Sequence, residues 1–187
     1  MMLGYALCGS FCTHAKALRE LENLLAAGYE VRPILSETVY STDTRFGKAS
    51  QLIEAVEALC CKKAIHTVVD AEPLGPSEPL DALIISPCTG NTLAKIANGI
   101  TDTAVCMAAK AHLRSDRPLV ISLASNDALS ANLRNIATLL SRKQVYFVPM
   151  VQDDPEKKPH SLVADFSLLM PTLCDAFRGK QFRKLFL

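Results

Sequence analysis

The sequence predicts a three-layer α/β fold, a parallel sheet of about six strands with helices on both faces. Short apolar runs alternate with amphipathic helical periods from one end to the other, and parallel strands need such crossover helices. The length of 187 residues suits one core, enough to bury about 70% of the surface of the unfolded chain. The expected organisation is therefore a single domain over 1–187.

The first apolar run, 4–8, reads as a strand. Residues 14–27 follow as a helix with Leu18, Leu21, Leu24 and Leu25 on one stripe, Thr13 as N-cap and Gly28 just past the end. The run 30–35 is a second strand. Its Pro33 lacks an N–H and belongs near an edge or a bulge. A helix over 46–60 leads to a weaker strand at 67–70, then to the proline-rich loop 71–80, AEPLGPSEPL. Strand 82–86 precedes a helix at 91–98 that Gly99 ends. The next helix, 102–113, takes Thr101 or Asp102 as its cap. Strand 119–123, helix 127–141 capped by Asp127, strand 145–148, the charged loop 149–160 and a helix over 161–178 complete the pattern. With 67–70 counted as the third strand, the expected order is 3-2-1-4-5-6.

Composition removes several function classes. Twenty Lys plus Arg stand against 19 Asp plus Glu, a net charge of +1, so there is no basic field for a nucleic-acid backbone. No run approaches the roughly 18 to 20 apolar residues of a membrane helix, and the opening MMLGYALCGS lacks a basic n-region. The expected location is cytoplasmic. None of the seven Cys forms a C-x-x-C pair, so no metal site is expected, and the thiols read mostly as small buried hydrophobes. What is left is a small ligand.

In an open parallel sheet such a ligand binds beyond the carboxyl ends of the strands. Those ends carry Gly9-Ser10-Phe11-Cys12-Thr13, Ser36-Glu37, Ser86-Pro87-Cys88-Thr89-Gly90-Asn91-Thr92 and Ser125-Asn126-Asp127. Hydroxyls, a glycine and helix amino ends suit the phosphate of a mononucleotide; the same Ser and Thr also suit simple helix capping. The dinucleotide fingerprint G-x-G-x-x-G is absent after the first strand, so a nicotinamide cofactor is not expected on this chain. Lys95, one turn beyond Asn91, is the cation best placed for a carboxylate.

The block at 87–102, PCTGNTLAKIANGITD, resembles the P-x-S-x-N-T-x-x-K-x-A-x-G-x-x-D block of the homo-oligomeric flavin-containing Cys decarboxylases, a flavoprotein family that includes flavin prenyltransferases. Pro87, Asn91, Thr92, Lys95, Ala97, Gly99 and Asp102 fall in register, as do the Gly-Ser turn after the first strand and the Ser ending the second. The resemblance implies a Rossmann-like fold and FMN. It implies a phosphate held by the Gly9-Ser10-Phe11 turn and Ser36, with the flavin ring beside Pro87, Cys88, Thr89, Asn91 and Thr92. Ser125 and Asn126 would lie near ring or substrate, and His66 falls where relatives carry a catalytic His. Homo-oligomers built from trimers are implied as well.

EPLGP at 72–76, AAKAHLR at 108–114, SNDAL at 125–129 and YFVPMVQDDPEKKPHSLVAD at 146–165 resemble one branch of that family. Its members work with a nicotinamide-binding partner in oxidising a dihydrodipicolinate-type intermediate to the pyridine dicarboxylate of bacterial endospores. The substrate implied is thus a small dicarboxylate, with Asn91, His66 and Lys95 as candidate catalytic residues. The P-x-M-N-x-x-M-W clamp of the decarboxylases is replaced here by ASNDALSANL, and the Arg-Glu-Thr-Pro of prenyltransferases is missing, so neither activity carries over. Two further readings stay open: a cofactor-poor protein that organises the nicotinamide-binding partner, and a free-standing decarboxylase.

Overall fold

Alternate residues of the first strand serve opposite helix layers, and this period of two organises the molecule. The computed structural model describes residues 1–187. In strand β1 (Met2–Leu7), Leu3, Tyr5 and Leu7 face one apolar cluster while Ala6, followed by Cys8, faces the other. Helices α1 (His14–Ala26), α3 (Ala49–Cys60) and α8 (Leu169–Ala176) supply Leu21, Leu24, Val56 and Leu173 to the first cluster. Helices α5 (Gly90–Ala97), α6 (Ala104–Leu113) and α7 (Leu133–Leu140) supply Leu93, Val105 and Ile136 to the second.

Between these layers the parallel strands run in the order β2 (Glu30–Leu35), β1, β3 (Ala82–Cys88), β4 (Leu119–Ser125), β5 (Val145–Phe147). Outside β2 only Ile65 pairs, in a single parallel bridge to Ile34. The order is therefore close to the expected 3-2-1-4-5-6, with the single bridge at Ile65, just before the expected 67–70, in the place of the third strand. Pro33 fits this edge: its carbonyl accepts from Ile65 N–H at 2.9 Å, so its missing donor points to the side that is almost unpaired.

Three expectations are corrected. Residues 67–70 are not a strand, because the Thr67 hydroxyl accepts from Asp70 N–H at 3.1 Å and starts the short helix α4 (Val68–Ala71). The helix expected over 161–178 begins only at Leu169, since Leu162–Ala164 forms a strand, β7, antiparallel to both β4 and β6 (Met150–Val151). The helix expected over 127–141 begins at Leu133, because Asp127 turns its carboxylate onto Asn132 and Ser125 instead of capping. The caps shift likewise: Thr103, rather than Thr101 or Asp102, accepts from Cys106 N–H at the start of α6. Thr13 stands at the N-cap position of α1 but spends its hydroxyl on the Ser10 carbonyl, 2.8 Å away. One further helix, α2 (Glu37–Ser41), lies in a stretch with no helical period.

Candidate functional site

The carboxyl ends of β1, β2 and β3 open onto a cavity of about 330 Å³ with no apolar residue in its lining. Gly9, Ser36, Thr89, Asn91, Thr92 and Lys95 meet there, joined by Glu37, Thr38 and Thr103. Gly9 keeps the turn after β1 open, and the nearest atom to a Cβ built on it is Cγ2 of Thr38 at 3.6 Å. Ser36 caps α2 by accepting from Val39 N–H at 3.3 Å, and Thr89 caps α5 by accepting from Thr92 N–H at 3.2 Å. Capping does not exhaust these groups. A hydroxyl that accepts from the backbone still has its own proton, and that of Ser36 has no protein acceptor.

Below the cavity the polar groups interlock. Thr89 donates to the Thr92 hydroxyl at 3.2 Å, Thr92 donates to Cys8 Sγ at 3.4 Å, and Cys8 N–H donates to the Pro87 carbonyl at 3.2 Å. Burial pushes the Cys8 thiol up to about 12 and the Cys88 thiol well above its ordinary value, so both are neutral packing groups under the site. Cys60 and Cys106 are buried too, whereas Cys12, Cys61 and Cys174 are exposed. Lys95 reaches both carboxylate oxygens of Asp102 at 2.9 Å; this pairing raises the lysine and lowers the aspartate. The Lys and Asp of the 87–102 block are thus a single ion pair, Lys95 on this cavity and Asp102 on the neighbouring one.

His66 lies next door. It lines a cavity of about 390 Å³ that shares Glu37 and Thr103 with the first. Phe11 faces a third, apolar cavity of about 250 Å³ with Leu18, Val39 and Phe46. Ser10 follows Gly9 on the turn, and its hydroxyl makes no protein hydrogen bond; Pro87 and Cys88 are buried, and none of these three lines the cavity. Ser125 and Asn126 do not line the hydroxyl cavity. Ser125 donates to Asp127 Oδ1, Asn132 donates to both Asp127 oxygens at 2.9 Å, and Asn135 donates to Asn132 Oδ1 at 2.8 Å. Asn126 beside them is exposed.

Sequence reasoning missed this network, and it missed why residue 90 is glycine. A Cβ there would meet Ser125 Oγ at 2.4 Å and Asn132 Nδ2 at 2.6 Å, so the network packs flush against the first residue of α5. The signal was present as a Gly between Thr89 and Asn91, but its reason lies 35 residues away. No cluster of His, Cys, Asp or Glu is arranged to hold a metal ion, and no helix is long and apolar enough to cross a membrane.

A mostly parallel sheet covered by helices on both faces, with a hydroxyl-lined cavity at its switch point, defines a Rossmann-like α/β protein. The flavoprotein family model matches residues 2–167, and the chain belongs to that family. It is 44% identical over 183 residues to the B component of dipicolinate synthase from Bacillus subtilis (strain 168), a match covering 98% of this chain and 92% of that protein. Among solved structures, the B component of dipicolinate synthase from Bacillus halodurans superposes with a TM-score of 0.91 at 41% identity, covering 100% of this chain and 95% of the other. The dodecameric FMN-dependent UbiX-like decarboxylase from Escherichia coli O157:H7 superposes with a TM-score of 0.65 at 27% identity over 80% of each chain.

Proposed function

We propose that this chain is the flavoprotein-type B component of dipicolinate synthase. It would bind FMN and support the oxidation of dihydrodipicolinate to dipicolinate beside the nicotinamide-binding A component of that enzyme, in the cytoplasm of the mother cell of a sporulating bacterium. The observation that carries this reading is the hydroxyl-lined cavity at the ends of β1, β2 and β3, in a chain that matches a dipicolinate synthase component over 98% of its length.

The residues fit the cofactor. The unused hydroxyl protons of Ser10 and Ser36 and the open backbone at Gly9 suit a phosphate. Thr89 and Thr92 would form the wall for the ring, with the buried Pro87 and Cys88 on the strand beside them, and Phe11 would add an apolar face from the neighbouring cavity. When bound, FMN supplies a two-electron acceptor. Asn91, exposed on the lip, orients a substrate carboxylate or flavin carbonyl through its amide. Lys95, neutralised by Asp102, acts as a directional hydrogen-bond donor more than as a free charge. His66 would hold or release a proton from the adjoining cavity, whereas Ser125 and Asn126 stand outside the hydroxyl cavity, with Ser125 bonded to Asp127. The whole of residues 1–187 works as one domain, in a homo-oligomer built from trimers.

The first test is the visible spectrum of the purified chain, before and after adding FMN and after denaturation, alongside its mass in solution. A flavin band that stays with folded, oligomeric protein supports the reading; a chain that stays colourless in excess FMN overturns it. Asn91→Asp places a negative charge beside a carboxylate or carbonyl, and is expected to abolish turnover in the complex with the nicotinamide-binding partner while leaving the melting temperature within a few degrees of wild type. Full turnover in that variant removes Asn91 from the site.

A second reading, a cofactor-poor protein that organises the nicotinamide-binding partner, is favoured by one observation. Where the decarboxylases carry their Met- and Trp-containing clamp, Ser125, Asp127, Asn132 and Asn135 bond to one another. The same observation argues against a free-standing decarboxylase. The spectrum separates this reading from the first.

A further inference from the structure

The His66 imidazole is stacked on the Tyr40 ring, with centroids 3.7 Å apart and planes 4° from parallel. Tyr40 comes from α2, the helix that Ser36 caps at the edge of the hydroxyl cavity. His66 comes from the other side, one residue past Ile65, whose bridge to β2 is fixed by backbone bonds of 2.9 and 2.7 Å to Pro33 and Leu35. His66 Nδ1 lies 3.5 Å from the Ala64 carbonyl oxygen, at the outer limit of a hydrogen bond, so the stack on Tyr40 is the main constraint on the ring and Nε2, across the ring from Nδ1, is the nitrogen left for a ligand. Tyr40 and His66 both line the 390 Å³ cavity, with Ser41, Thr67 and Thr103 as its neutral polar groups and Glu37 and Asp102 as its acids.

We propose that Tyr40 is a positioning residue: its ring holds the His66 imidazole flat so that Nε2 faces the second cavity and exchanges a proton there with the ligand whose cofactor occupies the first. The inference rests on the proposed function for the identity of that ligand, and on the geometry alone for the pairing. Two rings at this spacing restrict each other's rotation, and a proton-transfer group works only when its reach and angle are fixed. The step balances simply. A dihydropyridine ring becoming aromatic would lose a hydride from one C–H bond to the two-electron acceptor and a proton from a second C–H or N–H bond; that proton would form the new N–H bond at Nε2 and later pass to water. The Tyr40 hydroxyl has no part in this, so the ring alone is required.

The test compares Tyr40→Phe, Tyr40→Ala and His66→Gln in the complex reconstituted with the nicotinamide-binding partner, with proton NMR of the chain's four histidines as a readout independent of turnover. In wild type and Tyr40→Phe the His66 ring protons are expected to show the upfield ring-current shift of a stacked neighbour, and Tyr40→Ala to lose it. Tyr40→Ala and His66→Gln are expected to lower kcat by about tenfold to a hundredfold with KM and FMN retention nearly unchanged, and Tyr40→Phe to keep wild-type kcat. A purely structural role for Tyr40 would lower the melting temperature without splitting kcat from KM. Wild-type kcat in Tyr40→Ala or His66→Gln overturns the proposal, as does a Tyr40→Phe variant as slow as Tyr40→Ala. Retention of flavin by wild type together with either result leaves the proposed function standing and removes only the role of Tyr40.

Discussion

Residue 90 shows how little room the site allows. The Ser125–Asp127–Asn132 network leaves no space for a methyl group, and neither β4 nor α7 yields easily because each is anchored in the core. Gly90→Ala is expected to cost about 1–3 kcal/mol in thermal or urea unfolding, the usual penalty for overpacking, and to weaken FMN retention by displacing Thr89 and Asn91. An unchanged melting temperature would show that the network moves freely and supports nothing. At this scale the sequence was legible where chemistry is local. Gly9, Ser36, Thr89, Asn91, Thr92 and Lys95 stand at strand ends and do line one cavity. It was not legible where partners are distant: nothing near Tyr40 announces His66, 26 positions on, and nothing near Lys95 says that Asp102 takes up its charge.

Among the elements, the misread ones are those whose pairing overrides local preference. Residues 67–70 have the β-branched pattern of a strand, yet a single hydroxyl cap turns them into a helix. Leu162–Ala164 lies within an apolar period that suits a helix, yet the open edge of β4 at Ala124 and Ser125 recruits it as β7. The edge of β5 is closed differently. The Gln181 side-chain amide accepts from Phe147 N–H at 2.8 Å and donates to the Phe147 carbonyl at 2.7 Å, copying with one side chain the bonds of a neighbouring strand. Gln181→Ala leaves both groups of the buried Phe147 without their partner. It is expected to cost about 1–3 kcal/mol and to raise the rate of aggregation on warming, read by light scattering. Equal stability and equal scattering would mean that water replaces the amide without loss.

For the molecule as a whole, the two helix layers were legible from periodicity, since the strands that separate them are buried on both faces and read as continuous apolar runs. The acid response was not, because it depends on burial. His14, its Nε2 2.8 Å from the Cys8 carbonyl oxygen, and His112, its Nε2 2.9 Å from that of Pro118, are both shifted below the ordinary value of 6.5, chiefly by burial. Below that pH the unfolded chain binds more protons than the folded one. Their stabilisation is therefore complete above about pH 6.5 and is withdrawn as the pH falls through the lowered folded values. The melting temperature is expected to drop between about pH 7 and pH 5, and a His14→Gln, His112→Gln double variant to flatten that slope; an equal slope in both proteins would place the acid response in the carboxylates.

The forked pairing of β4 also sets an order on assembly. Its lower half, Leu119–Ile121, takes β5 as a neighbour within about 25 residues, but its upper half waits for Leu162 and Val163, and the β5 edge waits for Gln181. On the ribosome, then, a chain emerging from the exit tunnel carries an unprotected sheet margin until Gln181 has followed Phe147 out. The stretch of synthesis between Phe147 and Gln181 is when a nascent copy is most open to pairing with the wrong strand.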